Sequence, residues 1–193
     1  MLYTTSDCHF GHSNIIKYCK RPFKDVEEMD NTLIRRWNEV VSDTDTIYHV
    51  GDFSFGAIPD SFRPVGSKSL TEKAFVDSIV RRLNGKKVFI KGNHREPPNT
   101  VDAAKVRFEG LNFTLVHEPQ KASDAGFWLS QKEWLIHGHE HANNLVEFPF
   151  FRRDKHRFNV SVELTDYKPI SFSDLVTIIR TPEIVRLSIK ETV

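Results

Sequence analysis

Seven side chains able to bind metal fall in five short clusters of this sequence: Asp7 and His9, Asp52, Asn93, His117, and His139 with His141. In context they read Asp-Cys-His at 7–9, Gly-Asp at 51–52, Gly-Asn-His at 92–94, His117 alone, and Gly-His-Glu-His at 138–141. Each cluster stands at the end of an apolar run, where a strand should stop. Carboxylate and amide oxygens mixed with imidazoles suit borderline first-row ions such as Mn, Fe or Zn better than calcium. Cys8 and Cys19 form no paired-cysteine motif, which argues against a closed structural zinc site. Gly51, Gly92 and Gly138 lie beside the clusters and permit tight turns that bring backbone close to bound ions. The pattern reads as a site for two metal ions.

Such a site needs elements that deliver distant segments to one place. Residues 1–6 read as a strand running into the 7–12 loop, and 46–50, 87–91 and 133–137 as further strands. Val26, Met29, Leu33, Ile34, Trp37 and Val40 recur at three- and four-residue steps and predict a helix over 25–41. A second helix is expected over 71–83, after a Pro-, Gly- and Ser-rich loop at 56–69 that could reach over the cleft and carry specificity. Residues 106–108 and 112–116 read as a hairpin leading to His117. Strands are also expected at 145–151, 157–163 and 184–189, with a helix at 171–179. Alternating strands and helices followed by hairpins suggest an α/β fold of two mixed sheets packed face to face with helices outside. In open α/β sheets ligands gather at the carboxyl ends of strands, so one cleft could collect every cluster.

The chain has 193 residues, with 39% hydrophobic and 27% charged residues, which suits one globular domain over 1–193 and argues against disorder. A net charge of +1 gives no global reason to expect nucleic acid. Two cysteines make no disulfide framework. No charged leader with an apolar core opens the sequence, and no apolar stretch reaches the roughly 18 residues that span a bilayer. A cytoplasmic protein without membrane contact is therefore expected, its oligomeric state left open.

In this order, Asp-x-His, Gly-Asp, Gly-Asn-His, His and Gly-His-x-His resemble the calcineurin-like metallophosphoesterase superfamily. The resemblance spans residues 7–141, and the further strings 6–16, 21–23 and 159–175 resemble a compact branch of small phosphoesterases. It implies a four-layer αββα sandwich, two mixed sheets flanked by helices. It also implies two divalent ions, Mn first, with Fe, Zn or Ni as alternatives. One ion would be held by Asp7, His9, Asp52 and His141, the other by Asp52, Asn93, His117 and His139, with Asp52 and a hydroxide shared. His94 would be the catalytic histidine that contacts phosphate and protonates the leaving alkoxide. The implied activity is phosphoester hydrolysis by that hydroxide, on a phosphorylated small molecule or nucleotide, with diesters favoured over monoesters. The alternatives are a nuclease or RNA-end-processing enzyme and a non-catalytic metal-binding scaffold. One departure stands out: family members commonly follow Gly-Asn-His with an acidic residue that orients the histidine, and here that residue is Arg95. Either Glu96 takes over that task or Arg95 faces the substrate phosphate.

Other residues have two readings each. His12 could face the phosphate or cap a loop. Arg21 could clamp phosphate through bidentate contacts or form a structural ion pair. His49 and His137 read as packing residues and His156 as solvent-facing. The run Arg152-Arg153-Asp154-Lys155-His156-Arg157 would favour nucleic acid if it bordered the cleft, though such runs are usually solvated turns. Phe148, Phe150 and Phe151 could stack on bases, but their alternation favours core packing. Cys8, between two candidate ligands, reads as an oxidation risk, with no redox function implied.

Overall fold

The computed structural model describes residues 1–55, 71–124 and 133–188. The elements are β1 (Leu2–Thr5), α1 (Ser13–Tyr18), α2 (Val26–Val40), β2 (Thr46–Val50), α3 (Glu72–Arg82), β3 (Lys86–Ile90), β4 (Ala104–Phe108) and β5 (Leu111–Leu115). They continue with α4 (Lys121–Asp124), β6 (Glu133–His137), β7 (Phe151–Arg152), β8 (Arg157–Asn159), β9 (Ile170–Ser171), α5 (Phe172–Arg180) and β10 (Arg186–Leu187). The expected 56–69 loop lies outside the described residues, as does the end of the 184–189 strand, whose described part is β10.

Two mixed sheets result. The first has the order β3-β2-β1-β9, with β1, β2 and β3 parallel and β9 antiparallel to β1. The second has the order β10-β7-β8-β6-β5-β4, with a parallel centre of β5, β6 and β8 and antiparallel pairs outside it. Strands of the first sheet are apolar on both faces because both are covered. Tyr3, Ile47 and Phe89 face one cluster with Met29, Leu33 and Trp37 of α2 and Phe75 and Ile79 of α3. Val50 and Ile90 face the core between the sheets, with Phe113, Leu115, Ile136 and Phe158 of the second sheet. Phe172, Leu175 and Val176 of α5 join that inner core. On the far face of the second sheet, Val116 and Leu135 pack under Ala122 of α4. The α/β architecture of two mixed sheets with helices is thus the one observed.

The longer helices begin where side chains can take their orphan N–H groups. Asp25, Thr71 and Ser171 accept from the backbone of Glu28, Ala74 and Asp174. Three segments differ from expectation. Of residues 145–151 only the last joins a strand; Glu147 instead holds Arg152 and Arg157, and Asn159 Nδ2 donates to the Phe148 carbonyl. The 157–163 strand stops at Asn159, and the chain turns through a short 3-10 helix at Val162–Leu164. His156 is half-buried, stacked on Trp134 with ring centroids 4.7 Å apart, rather than solvent-facing. Among the described residues no helix is long and apolar enough to cross a membrane.

Candidate metal centre

The carboxyl ends of five strands deliver the clusters. Asp7, Asp52 and Asn93 follow β1, β2 and β3 within three residues; His117 and His139 follow β5 and β6 within two. The two sheets meet here: Ser6 N–H donates to the Val160 carbonyl at 3.1 Å, and Val162 N–H to the Ser6 carbonyl at 3.2 Å. The ligand loops are laced together as well, Asp7 N–H to the Gly51 carbonyl and His9 N–H to that of Asp52. Five of the seven candidate ligands (Asp7, His9, Asp52, His139 and His141) have positive φ, between 48° and 73°. Each such non-glycine residue costs about 1–3 kcal/mol, a strain that surrounding contacts must hold and that concentrates at functional sites.

Asp52 is the centre of the arrangement. Its Oδ1 accepts the backbone N–H groups of Asn93 at 2.7 Å and His94 at 3.0 Å. Its Oδ2 faces three imidazole Nε2 atoms: His117 at 3.4 Å, His9 at 3.6 Å and His94 at 3.7 Å. Asp7 works the same way from the other side: Ser6 Oγ, Ser161 Oγ and His139 N–H surround its Oδ2, and Oδ1 lies 3.7 Å from His141 Nε2. Among the described residues four overlapping groups could each hold an ion: Asp7 with His9 and His141, His9 with Asp52 and His94, Cys19 with His141 and Glu163, and Asp52 with His117 and His139. Asn93 adjoins the last; its amide nitrogen donates to Glu118 at 2.8 Å, which leaves the amide oxygen as its acceptor.

The residues fit metal ions on two counts. Both ring nitrogens of His9 and Nε2 of His117 are buried without a hydrogen-bond partner, a costly condition that a cation would relieve. The 3.4–3.7 Å gaps are also too long for hydrogen bonds. The gaps to His117 and His9 match two ligands about 2.1 Å from one ion at tetrahedral angles, roughly 3.4 Å apart.

Charge in the pocket is balanced around the carboxylates. Burial works against charged His117 and His141, yet Asp52 and Asp7 push His117 up to about 9, and Asp7 and Glu163 push His141 up to about 11. His9, buried and beside His141, is pushed well down. Burial pushes His12 down to about 4, with His94 beside it adding to the shift. His94 has one-third of its side chain exposed, against 2% for His9 and for His117.

Several supporting residues escaped the sequence reading. Glu163 lies 3.0 Å from His141 Nδ1, Val50 presents its carbonyl to His117 Nδ1 at 2.9 Å, and Glu118 holds Asn93. Glu96 accepts from the backbone N–H groups of Asp52 and Gly92, so it braces two ligand loops rather than orienting the His94 ring. Gly51, at φ 84°, makes the tight turn expected of it, and the other two glycines leave room for carboxylates. A Cβ on Gly92 would lie 2.3 Å from Asp52 Oδ1, and one on Gly138 2.4 Å from Asp7 Oδ2, so what each bare turn admits is a carboxylate from another strand.

Two residues with alternative readings, Arg21 and Arg95, make ion pairs within the protein. Arg21 has a side chain 0% exposed, because its guanidinium is taken by Glu163 and by the carbonyls of Asp7 and Cys8; it braces the ligand loop and cannot clamp phosphate. Arg95 pairs with Glu72 at 2.6 Å, directing its charge to the start of α3. His12, by contrast, does reach the cleft, its ring 5.5 Å from that of His9 and 6.3 Å from that of His94. The basic run is engaged internally: Arg153 donates to the last carbonyls of α5, and Arg152 and Arg157 pair with Glu147. His49 packs among Trp37, Phe53 and Phe89, and Phe148, Phe150 and Phe151 are buried. Cys8 is buried too, which pushes its thiol pKa well up and shields it from oxidants.

No known family profile matches the chain. The protein AQ665 of Aquifex aeolicus, a protein of unknown function, superposes with a TM-score of 0.64 at 23% identity, over 93% of this chain and 99% of that one, so the two share a fold. The phosphoesterase YfcE of E. coli superposes with a TM-score of 0.41 at 18% identity, over 83% of this chain and 77% of that one. The uncharacterized protein MJ1445 of Methanocaldococcus jannaschii is 41% identical over 185 residues, which are 96% of this chain and 94% of that protein. At that identity over nearly the full length of both, the chain belongs to the family of MJ1445.

Proposed function

We propose that this protein is a metal-dependent phosphoesterase of calcineurin-like type, with two divalent ions, manganese foremost, and with phosphodiesters favoured over monoesters. The observation that carries this reading is Asp52, whose free oxygen stands between ligand groups from both sheets while its other oxygen is fixed by two backbone N–H groups. Asp7, His9, Asp52 and His141 would hold one ion; Asp52, Asn93, His117 and His139 would hold the other. When bound, the pair would lower the pKa of a shared water and neutralise charge on the phosphoryl oxygens.

The chain's own residues supply the rest. His94 is more open to solvent than His9 and His117, so it can meet a substrate where those two cannot. In hydrolysis water adds to phosphorus, the ester P–O bond breaks, and His94 gives its proton to the departing alkoxide and regains one from solvent. That help matters most for poor leaving groups, which is why diesters are favoured. The internal engagement of the 152–157 arginines takes away the feature that pointed to nucleic acid.

Metal analysis and kinetics on one sample test this. Wild type is expected to carry close to two manganese ions per chain and to hydrolyse bis-p-nitrophenyl phosphate faster than p-nitrophenyl phosphate. Asp52→Asn should lose both metal and activity. His94→Gln should keep the metal and lose about 10²–10⁴-fold in kcat. Wild type inert on both esters with manganese, iron, zinc or nickel would overturn the reading, as would full metal content in Asp52→Asn.

A further inference from the structure

Tyr18 and Phe55 are the two exposed aromatic side chains among the described residues, 67% and 42% accessible, and both stand beside the catalytic cluster. The Phe55 ring centroid is 4.6 Å from that of His94 and 4.6 Å from that of His12. Tyr18, on the last turn of α1, is 6.2 Å from His12. Every other aromatic ring of the described residues is at least half withdrawn into the fold, so exposure here is concentrated rather than scattered.

Phe55 is also held in place. Its N–H donates to the Phe10 carbonyl at 3.1 Å, and the preceding Ser54 bridges both Phe10 and Arg95. The ring packs on His12 and His94, the histidine that would serve the leaving oxygen, and still stands partly at solvent. Its face is suited to a flat ring carried by the substrate.

We propose that Phe55 and Tyr18 form an aromatic platform that selects phosphoesters bearing a planar aromatic base, so that the substrates are nucleotide-type esters rather than sugar or alkyl phosphates. The proposal rests on the phosphoesterase reading, and it narrows that reading to one chemical class. It also moves base stacking away from Phe148, Phe150 and Phe151, which are buried. Stacking a base on an aromatic side chain tolerates any base, because every base presents a π face.

The test compares adenosine 5′-monophosphate with ribose 5-phosphate, which share sugar and phosphate and differ only in the base. Binding is measured calorimetrically on manganese-loaded full chain carrying His94→Gln, which keeps both ligands intact. Adenosine 5′-monophosphate should bind roughly 5- to 150-fold more tightly, the size of one base–aromatic stack. Adding Phe55→Ala should erase most of that gap, Tyr18→Ala part of it, and Phe55→Trp should retain it, with ribose 5-phosphate affinity unchanged throughout. Equal affinity for the two ligands would overturn the platform while leaving the phosphoesterase reading standing. Manganese-independent binding would overturn both, and no binding of either monoester would overturn the platform alone. Since both side chains are exposed, thermal unfolding of the alanine variants should match the parent, and an unchanged affinity gap in a folded Phe55→Ala protein would also defeat the proposal.

Discussion

Glu163 Oε1 receives the Arg21 guanidinium at 2.7 Å and lies 3.0 Å from His141 Nδ1, while His141 Nε2 turns toward Asp7. A carboxylate on the far nitrogen of a metal-binding imidazole fixes the ring's tautomer and direction and raises its basicity. Removing such a partner costs roughly 10–100-fold in metal affinity. Glu163→Gln should therefore weaken manganese binding by about that factor. It should also destabilise the protein without metal, because Arg21 is left buried without its counter-charge. The two effects separate in thermal unfolding. The apo protein reports the lost ion pair. The additional rise on adding manganese reports the ligand, and should shrink by about 1.4–2.7 kcal/mol if affinity falls 10–100-fold. An undiminished manganese increment would show Glu163 to be structural alone. This residue also marks where reading the sequence stopped. The candidate ligands stood out because each ends an apolar run beside a small or polar residue. Glu163, Glu118, Ser6 and Ser161 did not, because their task is defined by side chains that meet across two sheets. Arg21 stayed open between two roles for a related reason: an arginine beside Pro22 has the same letters whether its fork meets phosphate or a carboxylate and backbone carbonyls.

At the scale of elements, the parallel strands were the legible part. β1, β2, β3 and β6 carry short apolar runs covered on both faces, and their ends are announced by Gly51, Gly92 and Gly138 or by the loop at Asp7. The short strands of the second sheet were less so. At 145–151, alternating phenylalanines suggested a strand, but the ion pairs of Glu147 and the Asn159 amide occupy that segment and leave β7 only two residues. The same cause hid the arginine run, since Arg153 serves the carbonyl end of α5, a helix distant in sequence. The turn after β3 carries a direct prediction. A Cβ at Gly92 would meet both Asp52 N and Oδ1 at 2.3 Å, and neither backbone nor a hydrogen-bonded ligand can yield cheaply. Gly92→Ala should then lose stability at the upper end of the usual overpacking cost, about 3 kcal/mol, and should lose metal with it. Urea unfolding and metal analysis would check this; a variant with wild-type metal content would show that the β3 turn is free to shift away from Asp52.

Across the whole molecule, one buried carboxyl ties α2 to the loop that follows β1. Asp30, on α2 and 0% exposed, accepts the Gly11 N–H through both oxygens, at 3.2 and 3.1 Å. Burial raises its pKa from 3.8 to about 8, with the Gly11 N–H and Arg21 offsetting only part of the shift. In the unfolded chain the group ionises near 3.8, whereas in the fold it keeps its proton to about 8. Between these values the native state binds more protons than the unfolded state, so stability falls as pH rises through that window. Above about 8 both states are ionised and the loss levels off. Asp30→Asn removes this proton and keeps a carbonyl oxygen for the Gly11 N–H. The histidines titrate alike in both proteins, so they cancel when the two are compared in chelator, without metal. The stability of Asp30→Asn minus that of wild type, from urea midpoints, should therefore climb from pH 5 to pH 8 and flatten by pH 9. Parallel pH profiles for the two proteins would mean that the carboxyl is already ionised in the fold, and that α2 is held to the ligand loop by a charged hydrogen bond instead.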